Sequence, residues 1–280
     1  MAQDKYNMKI SIWGTGNAGF RIAIALKGAG FEIPFVVNRS LQSAKQLSSI
    51  LNKPEYNHFN LPDTHPSVNF DEMEGSDIII VAISDDVLET VLPNLLNIQS
   101  VKSVYSTVCH ISGATSVDVL NQFKSHGVFY PLMSFSKNKP VDMSIVPFLL
   151  ESSDSAAFEK LSTLCKKLGS EYSVIDSSER LRMHVSAVFV SNFINYLASL
   201  SYDIATPHHV YLLPLAIETI RKAFLYGNPK MVQTGPAARG DLKTSRKHFE
   251  ILNDTKEHLA VYKLLANVIL EQNKQINNNG

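Results

Sequence analysis

The sequence predicts a two-part molecule: an α/β domain with a doubly wound, mostly parallel sheet, followed by an all-helical domain. Three observations predict it. Short apolar runs alternate with helical patterns through the first half of the chain, the rhythm of βαβ units. The strongest run, Asp77-Ile78-Ile79-Ile80-Val81-Ala82-Ile83, is apolar throughout, as a parallel strand covered on both faces must be. From Glu179 onward only a spacing of three or four recurs. At ~150 residues per domain, 280 residues make about two domains, and we place the boundary at 177/178.

Ile10-Ser11-Ile12-Trp13 reads as a first strand, followed by a glycine-rich turn and a helix from Phe20 to Leu26 that stops at Gly28-Ala29-Gly30. Ile33 to Val37 is a second strand, and Leu41 to Leu51 a helix opened by Ser40 as N-cap. Pro54, Pro62 and Pro66 punctuate a polar loop with room for one short strand. After the strand at 77–83 come a helix (Val87 to Leu96), a strand (Val101 to Val108), a helix (Val117 to Phe123) and a strand (Gly127 to Tyr130). Val146 to Leu150, a helix from Ala156 to Leu168, and Tyr172 to Ile175 continue the series. Right-handed crossovers put helices on both faces of such a sheet. In the second part, Leu181, Val185, Val188, Phe189, Asn192, Tyr196 and Leu200 form a helical stripe. Helices follow at His209–Leu225, Asp241–Leu252 with Asp241 as N-cap, and His258–Asn273, and the Asn-rich end is expected to fray.

Composition narrows the function. Hydrophobic residues at 45% and charged residues at 19% give the balance of a globular chain with a sizeable core. Lys+Arg and Asp+Glu are both 26, so the net charge is zero, which argues against nucleic acid as a main partner. Two cysteines, Cys109 and Cys165, are too few for a disulfide scaffold and fit a reducing cytoplasm. The start, Met1 to Lys9, is polar and lacks a signal-peptide pattern, and no run approaches the roughly 18 apolar residues of a membrane span. We therefore expect a cytoplasmic protein with no membrane role. No ligand spacing suggests a metal.

Gly14-Thr15-Gly16-Asn17-Ala18-Gly19 matches the dinucleotide fingerprint in its confirming context, after an apolar strand and opening a helix. Each glycine has a task. Gly14 allows the tight turn, Gly16 lets the backbone approach a pyrophosphate, and Gly19 lets the helix pack on the strand. The helix N-terminus offers free N–H groups and the positive dipole end to phosphates. This is the Rossmann arrangement. Where NAD would call for a carboxylate ending the second strand, the chain has Asn38-Arg39-Ser40. Arg39 can pair with a 2′-phosphate and Ser40 can donate to it, so the expected cofactor is NADP.

These residues resemble a known group. The first domain is similar to the NADP-binding domain of pyrroline-5-carboxylate reductases, deazaflavin-dependent NADP reductases and ketopantoate reductases. The stretch Ser76 to Asp86 resembles their fourth strand and the turn after it, which brings Ser84 among the implied cofactor contacts. The whole resembles a narrower family, Rossmann-like with a helical C-terminal domain of long-unassigned function. Its motifs are Tyr130-Pro131-Leu132-Met133-Ser134-Phe135, then His184 with Ala187-Val188-Phe189 and Asn192-Phe193, and Thr234-Gly235-Pro236-Ala237-Ala238-Arg239-Gly240-Asp241 with His248. The resemblance implies a helical domain like the C-terminal domain of 6-phosphogluconate dehydrogenase, dimerisation through it, and an active site between the domains. Some members are assigned as an alternative ketopantoate reductase. The better-known reductases place a lysine shortly before an asparagine on the first long helix of that domain. Here the helix shows His184, Val188 and Asn192 with no lysine, so the proton donor differs.

His184 and Asn192 lie about two turns apart on one face of an ideal helix. Reducing a carbonyl needs a proton for the developing alkoxide, and histidine titrates in the right range. An asparagine can donate to a carbonyl oxygen or hold a carboxylate. Arg239 is suited to grip a carboxylate bidentately, with a salt bridge to Asp241 or a dimer contact as its rivals. His110 or Ser112, in the loop at a strand's carboxyl edge, could face the nicotinamide, or be an ordinary loop. Cys109 has no base placed beside it. The expected function is an NADPH-dependent reductase of a small carbonyl or imine, a 2-oxo acid of the ketopantoate kind by analogy, working as a homodimer through its helical domain. The alternative is a non-catalytic NADP-binding redox sensor or dimeric scaffold.

Overall fold

The structure, a computed structural model, describes residues 8–102 and 105–278. The expectation about the first residues thus lies mostly outside the described part. The chain divides into two compact units, Met1–Asn192 and Phe193–Gly280.

The first unit is built on one eight-stranded sheet in the order β3-β2-β1-β4-β5-β6-β7-β8. These strands are β1 Ile10–Trp13, β2 Phe35–Val37, β3 His65–Ser67, β4 Ile78–Val81, β5 Thr107–His110, β6 His126–Pro131, β7 Phe148–Ser152 and β8 Tyr172–Val174. The helices are α1 Asn17–Gly28, α2 Leu41–Leu51, α3 Asp85–Val91, the single turn α4 Gln99–Lys102, and α5 Ser155–Leu168. Strands β1 to β6 pair in parallel, as the βαβ rhythm requires. Alternation along β4 feeds two cores: Ile78 and Ile80 join Ile10, Ile22 and Leu26 on one side, and Ile79 and Val81 join Leu88, Leu92 and Val108 on the other. The order reverses between β1 and β4, which opens a crevice outside their carboxyl ends.

Several elements differ from expectation. Strand β7 runs antiparallel to β6, with β8 parallel to β7. The strand expected over 101–108 begins only at Thr107, behind α4, with residues 103–104 outside the described part. The helix expected over 87–96 is α3 followed by a 3-10 segment, Leu92–Asn97, which begins where Pro93 has no N–H to continue an α-helix.

The last strand ends at Val174, close to the expected boundary, but the first unit keeps the next helix, α6 Ser177–Val188. Asp176 caps it by accepting the Glu179 N–H at 2.8 Å. A π-helical turn, Phe189–Phe193, leads into α7 Ile194–Ala205. The continuous run Ser177–Ala205 has 29 residues and a window of mean hydropathy 1.2. That corrects the expectation that nothing approaches a membrane span. By length and composition this helix qualifies, because Ser186, Ser191, Asn192 and Asn195 interrupt the apolar run without adding charge.

The second unit is helical throughout: α7, α8 Leu213–Leu225, the short α9 Pro236–Arg239, α10 Leu242–Ile251 and α11 Lys256–Asn278. Asp241 caps α10 as expected, accepting the Thr244 N–H at 3.0 Å. Helix α11 runs to Asn278, past the expected helix end at Asn273 and into the Asn-rich tail expected to fray. This unit has almost no core of its own. Among its described residues only Ser245 and Leu252 are buried, while Tyr211, Leu215, Phe224, Leu225 and Met231 stand exposed.

Candidate cofactor and substrate cleft

The glycine loop leaves β1 and enters α1 as the fingerprint requires. Gly14 has φ +111°, and a Cβ there would stand 2.2 Å from the Ala82 carbonyl oxygen, so the turn excludes any side chain. A Cβ on Gly19 would meet the Gly14 oxygen at 2.5 Å and the Ala82 Cβ at 2.8 Å, which is the close helix–strand approach. A Cβ on Gly16 would meet nothing within 4 Å. It faces open space, the cradle a diphosphate needs. Helix α1 has Gly16 at its N-cap with no side-chain cap and no acidic residue in its first turn. Its leading N–H groups therefore carry no side-chain carboxylate that would compete with an anion.

A cleft of about 400 Å³ opens at this switch point. Gly16, Asn17, Ala18 and Gly19 line one side, Ala82 to Asp85 the next, Ile111 to Gly113 the third, and Tyr130 with His184 complete it. All of it lies within the first unit. Ser84 is exposed at the N-cap of α3 with no capping bond of its own, so its hydroxyl is available to a ligand. Thr15 is buried beneath the loop and does not line the cleft. Asn38, Arg39 and Ser40 follow β2, one strand over. Arg39 is exposed and makes no ion pair among the described residues, and the Ser40 hydroxyl caps α2 through the Ser43 N–H at 3.3 Å.

His184 sits on α6 with its Nδ1 3.0 Å from the Tyr130 hydroxyl. The two rings meet edge-on, centroids 5.9 Å apart. Burial, and secondarily the Asp85 carboxylate, push the Tyr130 phenol above its ordinary pKa, so it keeps its proton. The loop after β5 closes over this pair. Its shape comes from the Ser112 hydroxyl, which accepts the Ala114 and Thr115 N–H groups at 3.1 and 2.9 Å. Helix α6 is pinned to the same loop by Arg180, which is buried, pairs with Glu151 on β7 and donates to the Thr115 carbonyl at 2.6 Å. The Ser177 hydroxyl donates to Glu151 at 2.8 Å and accepts the Val117 N–H at 3.0 Å.

His110 is placed differently from expectation. It is fully buried and does not line the cleft. Its Nδ1 accepts the Ser112 N–H at 3.1 Å, and its Nε2 has only a weak backbone interaction with Ser116 rather than a well-formed hydrogen bond. Burial, reinforced by the Arg180 charge, pushes its pKa down to about 4. A neutral ring with that environment shapes the loop instead of meeting a ligand. Ser112, its sequence neighbour, reaches the cleft. Cys109 is buried with its thiol pKa raised by desolvation, which leaves no thiolate for nucleophilic work.

Asn192 is exposed in the π turn, where its Oδ1 accepts the Ser191 hydroxyl at 2.9 Å, and it does not line the cleft. Arg239 belongs to the second unit, exposed on α9. No salt bridge joins it to Asp241 among the described residues, although its charge helps lower the Asp241 pKa behind the larger effect of the Thr244 N–H. His248 Nδ1 lies 2.7 Å from the Tyr262 hydroxyl within that same unit. Tyr130 is the residue that sequence reasoning missed. The available signal was a phenol at the carboxyl end of a parallel strand.

Residues 9–110 match the family described as NADP oxidoreductase, coenzyme F420-dependent. The chain carries an NADP oxidoreductase domain. NADP is its cofactor, and the glycine loop, with open space at Gly16 and no side-chain cap on α1, has the shape a diphosphate fits. Residues 146–269 match a domain of unknown function, DUF2520. Among solved structures, a provisionally assigned NADP oxidoreductase from Bacteroides fragilis is 27% identical, with TM-score 0.81, covering 94% of this chain and 98% of its own. A protein from Thermotoga maritima is 20% identical with TM-score 0.66, covering 96% and 99%. A Plasmodium falciparum pyrroline carboxylate reductase solved with NADP bound is 13% identical with TM-score 0.55, covering 95% and 99%, and shares the fold. No curated protein matches in sequence.

Proposed function

We propose that this NADP oxidoreductase is a reductase of a small carbonyl or imine, with a 2-oxo acid of the ketopantoate type as the first substrate to test. One observation carries the reading. The phosphate-binding loop and a titratable pair, Tyr130 and His184, line the same cleft at the carboxyl edge of the sheet. When bound, NADPH supplies the hydride. The chain then has to orient the acceptor and provide a proton. His184, which lines the cleft, is the proposed proton source in place of the missing lysine. Asn38, Arg39 and Ser40 are the proposed contacts of the 2′-phosphate.

A second copy of this chain is the proposed partner. The exposed apolar residues of the helical unit exceed what a monomer leaves in water, and the unit buries almost nothing by itself. The two buried free cysteines fit a reducing cytoplasm. The test mixes purified protein and NADPH with ketopantoate, other 2-oxo acids and 1-pyrroline-5-carboxylate, and follows reduced-nicotinamide absorbance. Turnover of one of them, lowered by His184→Ala with cofactor affinity intact, supports the reading. NADPH binding without turnover of any favours a redox sensor instead.

A further inference from the structure

We propose that Tyr130 is a catalytic residue: its hydroxyl passes the proton to the substrate, and His184 recharges it. This rests on the reductase reading above and names the group that contacts the reacting atom. Three features of the cleft carry it.

The first is position. Tyr130 is the penultimate residue of β6 and lines the cavity together with the β5 loop and the glycine loop. The second is coupling. Its oxygen is 3.0 Å from Nδ1 of His184, a distance at which a proton crosses directly. The third is exclusion. A Cβ on Gly113 would stand 2.7 Å from Tyr130 Cζ and 2.5 Å from His184 Nδ1, so the loop leaves room for these two rings in contact and for little else. The loop in turn is held to α6 by Arg180 through the Thr115 carbonyl.

The chemistry balances. Before transfer, His184 is an imidazolium whose Nδ1–H donates to the Tyr130 oxygen, and the phenol O–H points at the substrate oxygen or nitrogen. As negative charge develops there, the phenol O–H bond breaks and a substrate O–H or N–H bond forms. In the same motion Nδ1–H breaks and a new phenol O–H forms. The products are a protonated substrate, an intact tyrosine, and a neutral imidazole carrying its proton on Nε2. Tyr130 then donates to Nδ1, which holds that tautomer until solvent reprotonates the ring, and His184 is partly exposed for that purpose. A buried phenol suits the first role, since an acid must arrive protonated. The histidine removes the objection that an isolated phenol gives up its proton reluctantly.

The test compares unaltered protein with Tyr130→Phe, His184→Gln and the double variant, following NADPH oxidation with ketopantoate and with 1-pyrroline-5-carboxylate. NADPH affinity is read in parallel by calorimetry, and the His184 ring nitrogens by NMR. Tyr130→Phe keeps the ring and is expected to lose about a hundredfold or more in kcat, with NADPH affinity within about twofold. The double variant is expected to be no slower than the worse single, because the two act as a unit. With the His184 ring neutral, its Nδ1 resonance should report an acceptor nitrogen, and that character should be lost in Tyr130→Phe. Turnover by Tyr130→Phe within about threefold of the unaltered protein, or additive losses in the double variant, would overturn the assignment while leaving the reductase standing. No turnover by the unaltered protein on either substrate class would instead overturn the reductase reading, and this assignment with it.

Discussion

Gly113 leaves no room for a side chain between itself and His184: a Cβ would fall 2.5 Å from the imidazole Nδ1. That single missing methyl lets the loop after β5, Tyr130 and helix α6 meet. Gly113→Ala is therefore expected to push the loop or α6 apart, at a cost of about 1–3 kcal/mol of stability. The cleft should lose its Tyr130–His184 contact while the glycine loop keeps its cofactor affinity. Thermal unfolding with NADPH titration checks this. An unchanged melting temperature and an unchanged His184 NMR spectrum would contradict it.

Gly14 and Gly16 separate folding from binding. Gly16→Ala adds a methyl to open space, so the melting temperature of the free protein is expected to stay within about 1 °C while NADPH affinity falls at least tenfold. Gly14→Ala forces a φ of +111° on a residue whose Cβ would strike the Ala82 carbonyl. It is expected to lower stability by roughly 2 kcal/mol or more as well as binding. If Gly16→Ala binds NADPH normally, the cradle is misplaced.

Arg180 is buried, and Glu151 is the carboxylate paired with it. Removing one partner of such a pair leaves the other charge without compensation, which is far costlier than the pair itself is worth. Glu151→Gln is expected to destabilise the first unit by roughly 3 kcal/mol and to loosen α6, with His184 on it. Urea unfolding measures the first effect. A midpoint indistinguishable from that of the unaltered protein would show that the pair does not hold the helix.

His110 gives the fold a pH dependence of definite sign. Its folded pKa is lowered to about 4 by burial. Between the ordinary histidine value of about 6.5 and 4, the unfolded chain binds a proton that the folded chain refuses. Its contribution is fully present above about pH 6.5 and is lost as the pH falls to about 4, a loss of about 3 kcal/mol. His110→Asn retains an acceptor for the Ser112 N–H but does not titrate. The difference in stability between pH 7 and pH 4.5 should shrink in that variant, and an equal difference in both proteins would refute the assignment.

Much of this was readable from the chain. The three glycine tasks are local properties of a strand–turn–helix unit, and the structure gives Gly14 the tight turn and Gly19 the close packing, with open space at Gly16. Strand direction was not readable at β7, because an apolar run such as Val146 to Leu150 looks the same whichever way it pairs. His110 and Ser112 were interchangeable in sequence, and only the pleat of β5 and the fold of its loop send one inward and the other to the cleft. Tyr130 was passed over because its partner lies 54 residues away on a helix, a pairing that tertiary contact alone supplies. The helical stripe of Leu181, Val185, Phe189 and Tyr196 was read correctly as apolar, yet these four residues are exposed. Periodicity finds such a face but does not say whether the same chain covers it.

The most direct test is calorimetric titration of the unaltered protein and Arg39→Glu with NADPH and NADH. The account predicts heat of binding for NADPH, with Arg39→Glu weakening NADPH roughly tenfold to a hundredfold and NADH far less, since the lost contact is a charge-assisted pair with the 2′-phosphate. No heat with NADPH at near-millimolar concentration, or an equal loss for both nucleotides, would contradict it.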